Sequence, residues 1–104
     1  MRTKIIDNAN KMVPIMNRLL REGYDIWENT PHYEGYGFKV LLEDKWIEIR
    51  LDYHDEEPSR YDIHCFKKNE EHRNILDSFM CKELAKKEIT DTNEMYQVIK
   101  GMIE

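Results

Sequence analysis

Two carboxylates, Asp52 and Asp62, stand where site chemistry would need them. Each falls in a run of alternating apolar and polar residues, Lys45 to Tyr53 and Arg60 to Lys67, and such alternation reads as a half-buried β-strand. If the runs pair antiparallel with Tyr53 opposite Tyr61, then Leu51 meets Ile63, Ile49 meets Cys65, and Asp52 lies opposite Asp62. Like charges directly opposed destabilise a strand pair unless a metal, a shared proton or a basic partner offsets them. A register displaced by two residues, or diagonal neutralisation by Arg50 or His64, removes the conflict and the site with it. Read as a site, these residues outline a pocket between Trp46, Arg50, Asp52, Asp62 and His64, the mark of a small enzyme or ligand-binding domain.

Other chemistry finds less support. The histidines His32, His54, His64 and His72 and the cysteines Cys65 and Cys81 show none of the paired short spacings that zinc needs. His64 and Cys65 are neighbours, so on a strand they point to opposite faces. Cys81 with His72 as a nucleophile pair has no orienting third group. Gly35, Tyr36 and Gly37 lack the Lys-Ser/Thr and the following helix of a phosphate loop, and no Gly-x-Ser-x-Gly occurs. No catalytic residue, metal or cofactor is assigned, and the expectation is a protein that is not an enzyme.

An interaction surface is the stronger reading. Nine of the eleven aromatic residues lie between Tyr24 and Phe66, the same stretch in which four Lys/Arg face eleven Asp/Glu. Tyr36, Phe38, Tyr53 and Tyr61 fall on the core side of their strands. Trp27, Tyr33, Trp46 and Phe66 remain for the loops and the outer face, where large aromatics ringed by charge serve as interface anchors. The bland alternative is that Trp46, Leu41 and Phe66 merely cover the sheet.

The elements that must position these residues follow from period and punctuation. In Lys45 to Tyr53, Ile47, Ile49, Leu51 and Tyr53 share one face, and Trp46, Glu48, Arg50 and Asp52 the other. A two-residue turn at Glu43 and Asp44 sets Val40 against Ile47, Phe38 against Ile49, Lys39 against Glu48 and Leu41 against Trp46. Tyr24 to Asn29 reads as a short edge strand, residues 29–37 as an irregular loop, residues 54–60 as an acidic loop, and Arg60 to Lys67 as the last strand. Residues 4–22 form an amphipathic helix with Ile5, Ala9, Met12, Met16 and Leu19 or Leu20 on one side, stopped at Gly23; at Pro14 it either kinks, the favoured reading because the apolar spacing carries on, or splits, with a first piece ending near Lys11 and Pro14 opening a second. Asn69 is the expected N-cap of a second helix with Ile75, Leu76, Phe79, Met80 and Leu84 as its stripe. Asp91, or Thr90, caps a third, with Met95, Val98, Ile99 and Met102 inward.

The fold class is therefore α+β: an N-terminal helix, a four-stranded antiparallel meander, and two C-terminal helices packed on one sheet face, with residues 1–104 as one domain. Neither an apolar run of membrane-spanning length nor a secretory leader is apparent, so the default location is cytoplasmic with both cysteines reduced.

With 21 acids against 16 Lys/Arg the chain repels nucleic acid and favours basic partners. The reading is a small acidic, non-enzymatic binding protein that docks through Glu43, Asp44, Trp46, Glu48, Asp52, Asp55, Glu56, Glu57 and Asp62, and through loops 29–37 and 54–60, on a basic protein surface. In one form it is an inhibitor that occupies a nucleic-acid-binding protein by mimicking phosphates. The order of elements and the charge resemble those of some small acidic anti-CRISPR proteins, a likeness of architecture that carries over no residue. A third reading is a regulatory subunit that self-associates, as a homodimer, through a sheet edge or the last helix.

Overall fold

A computed structural model describes residues 10–32, 35–52 and 60–104. Five antiparallel strands follow one another across the sheet in chain order: β1 (Asp25–His32), β2 (Gly35–Leu41), β3 (Lys45–Asp52), β4 (Arg60–Lys67) and β5 (Lys82–Ile89). Two helices, α1 (Val13–Arg21) and α2 (Met95–Ile103), cover one face. The core is the inward set of each strand, Phe38, Val40, Ile47, Ile49, Leu51, Tyr61, Ile63, Cys65 and Ile89, under Met12, Met16, Leu19, Met95 and Ile99.

The central hairpin has the register its alternation predicts, with Val40 opposite Ile47, Phe38 opposite Ile49, Lys39 opposite Glu48 and Leu41 opposite Trp46. The Leu42 N–H donates to the Lys45 carbonyl at 3.0 Å, which leaves Glu43 and Asp44 as a two-residue turn. Neither takes a positive φ, so the absence of glycine costs this turn nothing.

Three expectations are corrected. The sheet has five strands, not four, because residues 82–89 are strand rather than the end of a helix begun at Asn69. The cap chemistry of Asn69 is nevertheless made: its Oδ1 accepts the N–H groups of Glu71 and His72 at 2.9 and 3.1 Å. Its Nδ2 then donates to the Met80 carbonyl at 3.1 Å and ties the two ends of a loop over residues 68–81, so the cap closes a loop and propagates no helix. Lys, Glu, Leu and Ala favour helix by propensity, but pairing with β4 satisfies a whole row of backbone groups that a helix here would leave on an open edge. Among the described residues one helix, not two, therefore follows the sheet.

The second correction concerns Pro14. The first helix does not run through it with a kink; Lys11 and Met12 form a turn, and α1 opens at Val13 with Pro14 in its first turn. Proline loses no hydrogen bond there, because first-turn N–H groups have no helical acceptor. Ile5 and Ala9 lie outside the described residues. At the other end Gly23 has φ +95°, with its N–H on the Leu20 carbonyl and the Tyr24 N–H on the Leu19 carbonyl, the paired bonds of a glycine-terminated helix. Leu19 is the buried member of the Leu19, Leu20 pair.

Third, β1 extends to His32 and β2 begins at Gly35, so most of the expected 29–37 loop is hairpin, with a register shift between Asn29 and His32. Proline is tolerated in β1 because this is an edge strand. The last helix is as expected: the Asp91 side chain accepts the Asn93 N–H at 2.9 Å, and a single 3-10 turn (Thr92–Glu94) runs into α2 with Met95 and Ile99 buried.

Candidate functional site

The sheet face opposite the helices carries the sequence's candidate residues, and the β3–β4 register decides what they meet. Leu51 pairs with Tyr61, Ile49 with Ile63 and Ile47 with Cys65. That register is displaced by two residues from the one that would oppose Asp52 and Asp62. Asp52 instead lies opposite Arg60, and Asp62 lies between Arg50 on β3 and Glu88 on β5. The two aspartates are thus not opposed; Asp62 has an opposite charge, Arg50, across from it on β3 and a like charge, Glu88, across from it on β5.

Trp46 is fully buried, although its parity places it on this outer face. Its ring stacks on Phe66 with centroids 4.5 Å apart, and His64 also stacks on Phe66 at 5.7 Å. Both large rings stand outside the cluster of the main core, so they form a second, smaller core on the other side of the sheet. Near it, Arg73 from the 68–81 loop donates to the Glu43 carbonyl at 2.6 Å and reaches Asp44 Oδ1 at 3.4 Å. The loop is thereby fastened to the β2–β3 turn. The indole N–H of Trp46 has no hydrogen-bond partner among the described residues, an energetic cost that the stacking and burial must exceed.

Three carboxylates of this face, Glu48, Glu83 and Glu88, have partners within the fold. Glu48 is buried; the Arg50 guanidinium lies 3.1 Å from its Oε1 and the Lys39 ammonium 4.0 Å. His64 Nδ1 lies 2.6 Å from Glu83 Oε1, and Arg60 lies 3.5 Å from Glu88. Of the residues expected to bind a partner, Glu43 and Asp44 are exposed at the turn, Trp46 and Glu48 are buried, and Asp62 is half-buried. The Asp52 backbone is placed but its side chain is not described, and Asp55, Glu56 and Glu57 lie outside the described residues with the rest of loop 54–60. In the pocket outlined by Trp46, Arg50, Asp52, Asp62 and His64, the space beside Trp46 is filled by Phe66.

Cysteine chemistry follows the same lines. Burial pushes the Cys65 thiol up, with Lys45 pulling weakly the other way, so Cys65 is a protonated core residue at neutral pH. Cys81 donates its S–H to the Ile75 carbonyl at 3.6 Å rather than to a base.

Sequence reasoning missed a polar cluster that joins the helices. Tyr96 Oη donates to Glu22 Oε2 at 2.5 Å, Lys100 lies 3.6 Å from Glu22 and donates to Tyr24 Oη at 2.9 Å, and the Arg18 guanidinium sits 3.6 Å above the Tyr96 ring. The spacing of Tyr96 and Lys100, four apart on one helix, was the available signal, but it names no partner on α1. The Tyr96 hydrogen bond, with Lys100 and Arg18, holds the Glu22 carboxyl below its ordinary value, while the same bond raises the Tyr96 phenol and the Tyr24 hydrogen bond raises Lys100. A depressed carboxylate contributes stability above its unfolded pKa and loses it as pH falls through the lower folded value; the raised tyrosine and lysine contribute below their unfolded values and lose it as pH rises through the folded ones. The clasp therefore weakens in strong acid and in strong alkali. Tyr96→Phe is expected to move the Glu22 titration, followed by carboxyl NMR, up toward the ordinary carboxylate range. An unmoved titration would mean that the tyrosine does not hold Glu22.

No family model matches the chain, and neither a curated protein nor a solved structure matches it. Among the described residues no group of three His, Cys, Asp or Glu side chains could hold a metal ion, and no helix is long and apolar enough to cross a membrane.

Proposed function

We propose that this chain is a small, non-enzymatic binding protein that docks on a basic partner surface. The observation that carries the reading is charge that the chain cannot balance itself: 21 acids stand against 16 Lys/Arg, and eleven of those acids lie between residues 23 and 66 against four bases. Such an excess steers a cationic partner and repels nucleic acid. The internal pairing of Glu48 and the burial of Trp46 take these two out of the docking surface. What supports docking is the rim of the sheet, where Glu43 at the β2–β3 turn and Asp25 at the β1 edge are exposed with no ion pair among the described residues. In its narrower form the partner is a nucleic-acid-binding protein and the carboxylates stand in for phosphates.

A second reading rests on Phe79, which is 97% exposed at the tip of a turn where its own N–H is held by Asp77 Oδ1 at 2.8 Å. Met80 beside it and Leu84 on β5 are about half exposed, so an apolar contact, including self-association, is the alternative. Salt separates the two. Charge-led docking weakens steeply from low to high ionic strength, and apolar docking does not.

The test is capture of a partner from the native host with the wild type, with Asp55, Glu56 and Glu57 changed to Ser, and with Phe79→Ser. A complex lost in the triple variant and released by added duplex DNA supports the acidic reading and its nucleic-acid-mimic form. An identical set of partners in the triple variant, insensitive to salt and lost in Phe79→Ser, overturns it in favour of apolar docking.

A further inference from the structure

Three lysines stand in register on adjacent strands: Lys45 on β3 pairs with Lys67 on β4, and Lys67 pairs with Lys82 on β5. All three are on the helix-side face at one end of the sheet, by alternation from Ile47 on β3 and Cys65 on β4, and on β5 by direct pairing with Lys67. The Lys45 charge is felt at the Cys65 thiol, which agrees with that placement. Like charges directly opposed across strands are unfavourable, and here the conflict occurs twice in one row.

A β-bulge creates the second conflict. Cys65 pairs with Ala85, but Phe66 pairs with Glu83, which leaves Leu84 as the extra residue. Without it, Lys67 would face Glu83, an opposite-charge pair. With it, Glu83 turns to the outer face beside His64, and Lys82 takes its place opposite Lys67. Bulges of this kind re-aim side chains at sheet edges and beside sites.

Two members of the row, Lys67 and Lys82, open on a shallow, solvent-connected depression of about 460 Å3, lined also by Lys68, Asn69, Glu70, Glu71, Met80 and Cys81, and Lys45 continues the row beyond that lining. Asn69 holds its mouth in shape through the bonds to Glu71, His72 and Met80. Glu70 lies 3.5 Å from Lys67 but is 79% exposed, so it is a weak and displaceable partner. Lys45 and Lys82 have no ion pair among the described residues.

We propose that Lys45, Lys67 and Lys82, with Lys68 at the side, form a binding site for a short polyphosphate-class anion. The row spans two inter-strand spacings, about 10 Å between its outer Cα atoms, which suits two or three linked phosphates rather than a single one. The same row cannot serve a long polyanion well, because a nucleic-acid strand leaving the site meets the net acid charge of the chain.

The site is tested with sodium tripolyphosphate on the full chain at constant ionic strength, by calorimetry and amide NMR, in the wild type, in the double variant Lys67→Gln with Lys82→Gln, and in a charge-matched control, Lys11→Gln with Lys86→Gln. The expected result is saturable one-to-one binding with shifts confined to residues 67–71 and 80–82 and to Lys45, weaker binding of orthophosphate, about tenfold or greater loss in the double variant, and about twofold or less in the control. Without ligand the double variant should melt at or above the wild-type temperature, because it relieves repulsion. Binding that does not saturate, or that falls equally in both variants, overturns the site as non-specific charge. Displacement of tripolyphosphate by a lower concentration of single-stranded DNA overturns the choice of ligand.

Discussion

Gly37→Ala is expected to lower folding stability by about 3 kcal/mol or more, a larger effect than most core truncations of one or two methyl groups. Gly37 sits on β2 opposite Arg50, and the Cβ of any other residue would fall on the Ile49 backbone carbonyl oxygen, with the Ile49 carbonyl carbon and Arg50 Cα close behind. A flexible side chain could move aside; backbone in the middle of a five-stranded sheet cannot. Relief requires β2 and β3 to separate at the pair that also aligns Phe38 with Ile49, so the damage reaches the main core. Thermal unfolding should show a fall of roughly 12 °C or more for a chain of this size. Gly101→Ala is the internal control: Gly101 lies in α2 with open space around its Cβ position, and alanine there should gain up to about 1 kcal/mol. A Gly37→Ala protein as stable as the wild type would refute the close approach of the two strands.

Trp46→Ala should cost about 3–5 kcal/mol, as expected for truncation of a fully buried aromatic, rather than selectively remove a partner. The loss has three sources: the area removed from water, the stacking on Phe66, and the cavity left beside the Phe66 ring. Trp46→Phe keeps a ring against Phe66 and discards an N–H that has no partner among the described residues, so it should cost less, about 1–2 kcal/mol. Denaturant unfolding of both variants, beside their partner capture at equal folded fraction, separates a structural role from an anchoring one. If Trp46→Ala unfolds at the wild-type denaturant concentration yet loses the partner, Trp46 is an interface residue and the second core is not one.

These two positions show where reading the chain succeeds and where it stops. The β2–β3 hairpin was legible because its apolar period is two on both strands and a two-residue turn at Glu43 and Asp44 selects one of the registers that match the faces. The burial of Trp46 was not legible. Parity places it on the outer face, but the ring that stacks on it is Phe66, twenty residues away on β4, and no spacing within β3 predicts that contact.

The acidic segment shows the same division. Its composition is a property of the sequence, yet its electrostatics depend on which cations the fold brings to it. β5, whose Lys-, Glu- and Ala-rich run has helical propensity and a single buried residue, supplied Glu83 and Glu88 as partners for His64 and Arg60 and stood Lys86 opposite His64. A displacement of two residues between β3 and β4 was enough to separate the two aspartates expected to be opposed, because alternation leaves every even shift equally consistent with the faces.

The chain by itself determined the helix stop at Gly23, the central hairpin, the inward face of β4, the cap at Asp91 and the excess of acid, all of which arise from contacts within a few residues or from composition. Tertiary structure decided that residues 82–89 are a strand, that Asp52 and Asp62 never meet, and that three lysines line up at the end of the sheet. Those outcomes depend on hydrogen bonding along an edge that exists only once β4 is in place, and on a bulge that only pairing can reveal.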